Sequence, residues 1–341
     1  MPPFPDLRVD PLNITISGIS SGADFAVQFH VAFSSLLKGV GVFAGQPYHC
    51  AVTRFEDDPL VPPDPNIPVP CDACPPNKTL QYDHCKQHPE RVQQKLLLNY
   101  TNRQAALGTI DMPSNLSKAR VYLYRGTKDP CYRAGSEGQV VGFYRGWNSG
   151  LDGQFALEST IPSLHAQPTI HKGSPCGGPY DGPYSYLANC GYAGAGAALQ
   201  HLYRNMLRPA VASANWQFLH KIPQAHYMEK GRDVGLAKEA FIFVPPHCAT
   251  GERVCRLHLW FHGCGGRDRF YNASVHYAGF NEWAEANDLV ILYPAMRNWG
   301  GTYETKIGCW DAYGQTGHDY ALQTGGQMAS VRRMIKDIAG V

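Results

Sequence analysis

The chain has 341 residues, which is enough to bury a substantial core, and we expect a single domain over 1–341. Only 17% of the residues are charged, the formal net charge is +2, and lysine and arginine form no block, so we expect neither nucleic acid nor a membrane surface as a partner. The sequence also lacks a run of about 18 apolar residues, which excludes a membrane-spanning helix.

The first predicted elements are a strand, a sharp turn and a helix. The run NITISGISSGA, which begins at Asn13, carries β-branched residues into G-x-S-x-G, a turn that presents a nucleophilic serine in one large class of hydrolases. A helix is predicted over 23–37 because apolar residues recur there at helical spacing, and the short buried strand VGVFAG follows. The spacing makes Ser20 the nucleophile, and an ordinary glycine and serine turn is the alternative.

The regular pattern breaks between residues 51 and 118. Prolines, polar residues and three N-x-[ST] sequons replace the alternation of strands and helices there. We interpret this segment as an insertion or lid over the core.

Two further strands lead to the residues that a serine nucleophile needs. A serine hydroxyl requires a base, usually a histidine that a carboxylate orients. The alternating strand RVYLYRGTKDP ends at Asp129, the best candidate for the acid, whereas Asp111 and Asp152 stand in looser contexts. The next strand, QFALEST, leads through a loop to His165, the candidate base, and His171 is the alternative by position.

The second half of the chain predicts the remaining elements of a sheet with helices on its faces. A helix is predicted in NCGYAGAGAALQHLYRNM, a hairpin pair in NWQFLHKI and EAFIFVP, and buried strands in RLHLWFHG and DLVILYP. Helices are also predicted over 275–287 and at the end of the chain. The order of these elements is unusual, because the hairpin and the strand with its H-G turn normally precede the serine turn.

Joining the end of the chain to Asn13 restores the usual order, and chain termini are often close in space. The sequence therefore predicts a circularly permuted α/β-hydrolase, with a mostly parallel central sheet flanked by helices and a lid-like insertion. The H-G turn of such a fold supplies one backbone N–H to the oxyanion hole, and the residue after the nucleophile supplies the other. These donors are Cys264 and Ser21, and each typically contributes ~3 kcal/mol to transition-state stabilisation. His262 is interpreted as a structural turn residue without an acid or base role.

Several stretches along the chain carry a family resemblance. They are SGISSGADFAVQF, GVGVFAGQPYHC, HAQPT around His165, NCGYAGAGAALQHLY, LHLWFHGCGG, NEWAEANDLVILYP, GCWDAYG and GGQMASVRRMIKDI. In these stretches the chain resembles the single-domain, circularly permuted poly(3-hydroxybutyrate) depolymerases of the secreted fungal type. The resemblance implies the same site that the spacing indicates, namely Ser20, Asp129 and His165 with the amides of Ser21 and Cys264.

The resemblance also implies a substrate-binding crevice. Trp310 in GCWDAYG matches a position near it, although a tryptophan considered alone is more often part of the core. The chain departs from the family in most of 51–118, and this insertion could roof the crevice and exclude a polymer surface. In that case short soluble esters would be the preferred substrates.

The eleven cysteines raise the question of pairing. The resemblance implies disulfides between Cys176 and Cys190, Cys248 and Cys255, and Cys264 and Cys309. The remaining five are odd in number and leave their pairing open: Cys50, Cys71, Cys74, Cys85 and Cys131. Cys71, Cys74, Cys85 and His88 also have a spacing that could suit structural zinc, but disulfides are favoured and we expect no metal.

The cysteines and five sequons together predict a secreted glycoprotein. The sequons are at Asn13, Asn77, Asn99, Asn115 and Asn272. The opening MPPFPDLRVD lacks the features of a signal peptide, so we expect that a signal has been removed. We also expect a monomer.

The predicted activity is that of a serine esterase that cleaves poly(3-hydroxybutyrate) or short 3-hydroxyalkanoate oligoesters through an acyl-enzyme. It needs no cofactor. A carbohydrate-linked esterase of the feruloyl or acetylxylan type is the first alternative, because related hydrolases share the serine turn and the H-G loop. A non-catalytic glycoprotein that binds a ligand is the second alternative.

Overall fold

A computed structural model describes residues 7–53, 84–147, 153–178, 186–265 and 269–341. The strands in these residues are β1 (Val9–Ile19), β2 (Gly39–Phe43), β3 (Arg120–Tyr124), β4 (Phe155–Glu158), β5 (Gln167–Thr169), β6 (Ser174–Pro175), β7 (Leu187–Asn189), β8 (Leu219–Pro223), β9 (Glu239–Phe243), β10 (Cys255–Phe261) and β11 (Leu289–Tyr293). The α-helices are α1 (Ser21–Ala32), α2 (His84–Gln87), α3 (Gln94–Ala106), α4 (Ser136–Arg145), α5 (Gly194–Leu202), α6 (Pro246–Ala249), α7 (Arg269–Tyr277), α8 (Phe280–Ala286), α9 (Tyr303–Lys306) and α10 (Gly326–Ala339). In these ranges no helix is long and apolar enough to cross a membrane.

Eight strands form the central sheet in the order β4-β3-β2-β1-β10-β11-β9-β8. The strands from β4 to β11 in this order pair in parallel, and β9 is antiparallel to both of its neighbours. The predicted hairpin is therefore present as β8 and β9 at one edge. The carboxyl ends of β1, β3, β4 and β10 lie at one end of the sheet, where loops can bring their residues together.

Both faces of this sheet are covered, as the continuous apolar runs of its central strands require. In β11, Val290 and Leu292 face one core with α1, α4 and α10, whereas Leu289 and Ile291 face a second core with α5 and α8. Each fully buried aliphatic side chain contributes roughly 1.5–3 kcal/mol relative to an exposed one. The mostly parallel sheet flanked by helices is the predicted fold class.

The two ends of the described chain meet at the end of the sheet opposite these loops. Pro11 and Leu12 from the start of β1 line the same cavity as Val341, and Arg332 of α10 donates a hydrogen bond to the Val341 carbonyl oxygen at 2.7 Å. This proximity is what the permuted order of elements requires.

The prediction of one continuous helix over 275–287 is wrong, because the end of α7 and the whole of α8 occupy that stretch. Gly279 lies between α7 and α8 with a φ of 91°, a left-handed conformation that breaks a right-handed helix. A small sheet of β5, β7 and β6 was not predicted, since its strands are too short to show a period.

Disulfides close several loops. The three pairs that the resemblance implied are present, and the structure adds a bond between Cys50 and Cys85. Cys131 is also disulfide-bonded. Because Cys85 is oxidised, it cannot provide a thiolate for the alternative zinc set; Cys71 and Cys74 lie outside the described residues.

Candidate active site

Ser20 occupies a sharp turn between β1 and α1. Its φ of 57° and ψ of −128° are unusual for a residue with a side chain and cost about 1–3 kcal/mol. The surroundings hold this conformation, because the Ser20 N–H donates to the Phe43 carbonyl at 3.0 Å and the Ser20 carbonyl accepts from Ala23 and Asp24 in α1. The side chain is 8% exposed, so the turn presents its hydroxyl to a confined site.

The second glycine of the motif is required by close packing. A Cβ atom on Gly22 would lie 2.3 Å from the carbonyl oxygens of both Phe261 and His262. We therefore expect Gly22→Ala to lower the free energy of unfolding by about 3 kcal/mol or more, since backbone atoms must move. Gly138→Ala is the matched control in urea unfolding, because that exposed helical glycine has open space and should gain about 1 kcal/mol. Equal stabilities of the Gly22 variant and the wild type would contradict this packing argument.

Asp129 and His165 meet beyond the ends of β3 and β4. His165 Nδ1 lies 2.9 Å from Asp129 Oδ2, and Asp129 Oδ1 accepts the N–H groups of Cys131 at 2.7 Å and Tyr132 at 3.0 Å. An ionised carboxylate accepts hydrogen bonds and donates none, so His165 Nδ1 is the donor to Asp129 Oδ2. The Nδ1 atom of His165 thus carries the hydrogen, which leaves Nε2 with a free lone pair.

The alternative acid and base candidates lie elsewhere. Asp111 accepts hydrogen bonds from Ser35 and Gln323 and lines the cavity beside Pro11 and Val341, at the opposite end of the sheet. His171 lines a separate cavity on the α5 and α8 side. Asp152 lies outside the described residues.

Ser20 adjoins this pair through Tyr186 and Gly263. A Cβ atom on Gly263 would lie 3.2 Å from the Ser20 Cβ and 3.4 Å from the Tyr186 ring. The Tyr186 ring in turn meets the His165 imidazole edge to face, with centroids 5.6 Å apart. Gly263 and the Tyr186 ring therefore connect the Ser20 turn with the Asp129–His165 pair.

The predicted oxyanion donors flank Ser20. Within the described residues neither the Ser21 nor the Cys264 backbone N–H donates a hydrogen bond, so both remain available to a ligand. The Cys264–Cys309 disulfide joins the loop after β10 to the segment that carries Trp310. The Ser21 hydroxyl accepts a hydrogen bond from the Trp310 backbone N–H at 3.3 Å. Such fixed donors suit the stabilisation of a developing oxyanion.

His262 anchors the same loop as a neutral residue. Its Nε2 accepts the Met296 N–H at 2.9 Å, so Nδ1 carries the hydrogen and donates it to the Gly263 carbonyl at 2.6 Å. Burial lowers the pKa of His262 to about 4. This position agrees with its interpretation as a structural turn residue.

Trp310 does not lie on an open crevice. Its side chain is 1% exposed and packs against Phe25, Phe261 and His262, with ring centroids 4.5–5.8 Å apart. The resemblance implied a substrate-binding position near the crevice, and this burial corrects it, because the Trp310 ring lies in the core beside His262.

One cluster has the composition of a metal site, namely Asp129, Cys131 and His165. A metal does not fit it, because Cys131 is oxidised and both the Asp129 carboxylate and His165 Nδ1 are engaged by hydrogen bonds.

Sequence reasoning missed a charged cluster behind His165. Asp24 contacts Tyr132 and Lys86, Lys86 donates to the Tyr313 hydroxyl, and Asp24 and Lys86 are both buried. Asp24 could have been noted as a carboxylate one helical turn after Ser20, but the irregular sequence around Lys86 gives no signal of where that residue folds.

Buried histidines make stability depend on pH. Burial lowers the pKa of His30 and of His258 to about 3 and that of His262 to about 4. Unfolded histidines bind protons below about pH 6.5, so between that pH and about 4 the unfolded state binds more protons and the free energy of unfolding falls. Each such histidine adds a slope of about 1.4 kcal/mol per pH unit.

We expect the free energy of urea unfolding to fall between pH 7 and pH 5, and His30→Gln to flatten this dependence by about one proton. His226→Gln is the control, because that residue is exposed. An identical slope in the wild type and the His30 variant would refute the assignment.

Comparisons with known proteins give one consistent result. No family model matches the chain. A poly(3-hydroxybutyrate) depolymerase of Delftia acidovorans is 30% identical over 350 residues, which cover 98% of this chain and 61% of the relative, so the chain spans about three fifths of that protein. A polyhydroxybutyrate depolymerase of Talaromyces funiculosus is 27% identical, with 98% and 92% covered.

Two solved structures have the same fold. One is a PHB depolymerase with a serine replaced by alanine, in complex with an R3HB trimer, at a TM-score of 0.80 and 25% identity over 99% of this chain and 98% of that one. The other is the PHB depolymerase of Penicillium funiculosum, at a TM-score of 0.79 and 26% identity with the same coverage.

Proposed function

We propose that the chain belongs to the poly(3-hydroxybutyrate) depolymerase family and that it is a serine esterase of poly(3-hydroxybutyrate) or short 3-hydroxyalkanoate oligoesters. The observation that carries the proposal is the Asp129–His165 hydrogen bond of 2.9 Å beside the strained Ser20 turn. A serine presented on a sharp turn and an imidazole oriented by a carboxylate are the groups that nucleophilic ester hydrolysis requires.

In the first half of the proposed reaction the Ser20 hydroxyl attacks the ester carbonyl carbon. His165 Nε2 accepts the hydroxyl proton, while Asp129 holds the imidazole and stabilises its positive charge. The Ser21 and Cys264 amides bind the oxyanion. Collapse of the tetrahedral intermediate forms the acyl-enzyme and expels the hydroxyl of the neighbouring unit, which receives the proton from His165.

In the second half a water molecule takes the place of the leaving group. His165 accepts a proton from this water, the resulting nucleophile attacks the acyl-enzyme, and the 3-hydroxyacid leaves as Ser20 recovers its proton. All proton transfers pass through one imidazole. The mechanism therefore needs no cofactor or metal.

The substrate class is supported by relatives rather than by a pocket. The Delftia and Talaromyces relatives are named for the polymer, and one solved relative holds an R3HB trimer. We further propose that 51–118 is an insertion within a single domain. Helices α2 and α3 belong to it and fix part of it to the core.

We also propose that the protein is secreted as a monomeric glycoprotein. Its described cysteines are all disulfide-bonded, which suits an oxidising compartment. Asn99, Asn115 and Asn272 are exposed, as acceptors of glycans must be, and Asn13 is half-buried. Asn77 lies outside the described residues.

The proposal is tested by measuring products from amorphous poly(3-hydroxybutyrate), its soluble trimer and methyl ferulate, with the Ser20→Ala variant as the blank. Ser20-dependent release of hydroxybutyrate from the polymer is the expected result. Release from the trimer alone would restrict the enzyme to oligoesters. Cleavage of ferulate alone would replace the proposal with the carbohydrate-esterase alternative.

A further inference from the structure

We propose that Lys86, a residue of the insertion, is a positioning residue for the catalytic base, and that it acts on His165 through Asp24 and Tyr132. This inference rests on the proposed role of His165 in ester hydrolysis. It gives the insertion a part in the site that the family resemblance does not assign.

The first of the contacts that link Lys86 to His165 is between the Tyr132 and His165 rings. The Tyr132 ring lies nearly parallel to the His165 imidazole, with an interplanar angle of 11° and centroids 5.5 Å apart. Its hydroxyl lies 3.0 and 2.8 Å from the two carboxylate oxygens of Asp24 and donates to that group. The face of the imidazole is therefore set by a tyrosine whose far end is held by Asp24.

The second contact is a buried ion pair. Lys86 Nζ lies 3.3 Å from Asp24 Oδ2, and the two side chains are only 8% and 1% exposed. The same ammonium group lies 5.2 Å from the centroid of the Tyr132 ring and 4.7 Å from that of Tyr313, and it donates to the Tyr313 hydroxyl. Because both side chains are buried, solvent screens this pair less than it screens an exposed one.

The insertion is attached to the Asp129 loop at this point. The Arg133 N–H donates to the Lys86 carbonyl at 2.8 Å, and Gln87 Nε2 donates to the Cys131 carbonyl at 2.8 Å. The Cys50–Cys85 disulfide ties the neighbouring residue to the loop after β2. Lys86 is thus held in place by its backbone as well as by its side chain.

The charges around His165 determine the sign of the effect. Asp129 contacts its Nδ1, the Tyr132 and Tyr186 rings pack against it, and Ser20 lies nearby. Behind Tyr132, the Asp24 anion favours the imidazolium form and the Lys86 cation opposes it. Removing the cation should raise the pKa of His165, and removing the anion should lower it.

The experiment is a titration of histidine Cε1 signals by NMR, with the His165 signal assigned by loss in His165→Asn. We expect Lys86→Met to raise the pKa of His165 by up to about one pH unit, since charges about 10 Å apart still interact in a protein interior. Asp24→Asn should lower it by a similar amount, and the double variant should return it towards the wild-type value. Lys86→Arg should keep it.

Lys221→Met is the matched control, because Lys221 also pairs with a carboxylate and lies over an aromatic ring, but on the exposed edge of the sheet. Shifts below about 0.2 pH unit in both single variants would overturn the proposal, even if activity fell. If Lys86→Met fails to fold, Asp24→Asn decides alone, because the amide has the same shape as the carboxylate. The titration needs no substrate, so its result can be interpreted even if the protein does not hydrolyse the proposed substrates.

A second readout is the rate at which a fluorophosphonate labels Ser20. A higher pKa leaves less neutral imidazole at pH 6, so Lys86→Met should label up to about tenfold more slowly there and near the wild-type rate at pH 9. A uniform loss at all pH values would indicate a purely structural role and contradict the inference.

Discussion

Replacing Ser20 with alanine should lower kcat for ester hydrolysis by about 10⁶-fold and abolish labelling by a fluorophosphonate. The reason is that the acyl-enzyme forms on the Ser20 oxygen, and a water molecule bound in place of the hydroxyl cannot form this intermediate. The fold should not change, because alanine and serine bear a similar cost at a φ of 57°. The measurement is kcat on the soluble trimer together with the thermal melting temperature.

The matched control is Ser21→Ala, since two serines stand side by side in the turn. This variant keeps the Ser21 N–H as an oxyanion donor and loses only the hydroxyl that accepts the Trp310 N–H. We expect it to retain labelling and to lose less than about tenfold in kcat, in line with one neutral hydrogen bond. Labelling of the Ser20 variant at the wild-type rate would assign the nucleophile to another residue.

Replacing Asp129 with asparagine should lower kcat by about 10⁴-fold. The backbone N–H groups of Cys131 and Tyr132 would hold the amide oxygen in the position of Oδ1, which directs the amide NH₂ at His165 Nδ1. The imidazole would then carry its hydrogen on Nε2 and could not accept the proton of Ser20. Both KM and the melting temperature should change little.

Asp111→Asn is the control for this variant. Asp111 was the alternative acid by sequence, but its carboxylate binds Ser35 and Gln323 rather than a catalytic histidine. We expect its kcat to equal that of the wild type. A larger loss in the Asp111 variant than in the Asp129 variant would exchange the two assignments.

Sequence reasoning predicted the sheet well because strand formation depends on local pattern, and the candidate site residues were read from the ends of those strands. The central strands are apolar runs, and the ends of β1, β3, β4 and β10 carry Ser20, Asp129, His165 and the H-G turn in an order that parallel topology brings together. The break between α7 and α8 was missed, because the positive φ of Gly279 is a single-residue feature inside an otherwise helical stretch.

Long-range pairing explains the other differences. Nothing local distinguishes Cys85 as the partner of Cys50, or tells that Lys86 reaches a buried carboxylate more than sixty residues earlier in the chain. For Trp310 the sequence offered both a surface and a core position. The packing of Phe25 and Phe261 around its ring decides for the core.

The permuted order of strands has a consequence for synthesis at the ribosome. β1 lies at the middle of the sheet, yet Thr15 bonds to His258, 243 residues later. The nascent chain must therefore hold β1 with one open edge until β10 emerges, and such distant pairings slow folding. The proposed nucleophile is therefore synthesised well before the proposed oxyanion loop, and the two come together only once β10 has paired with β1.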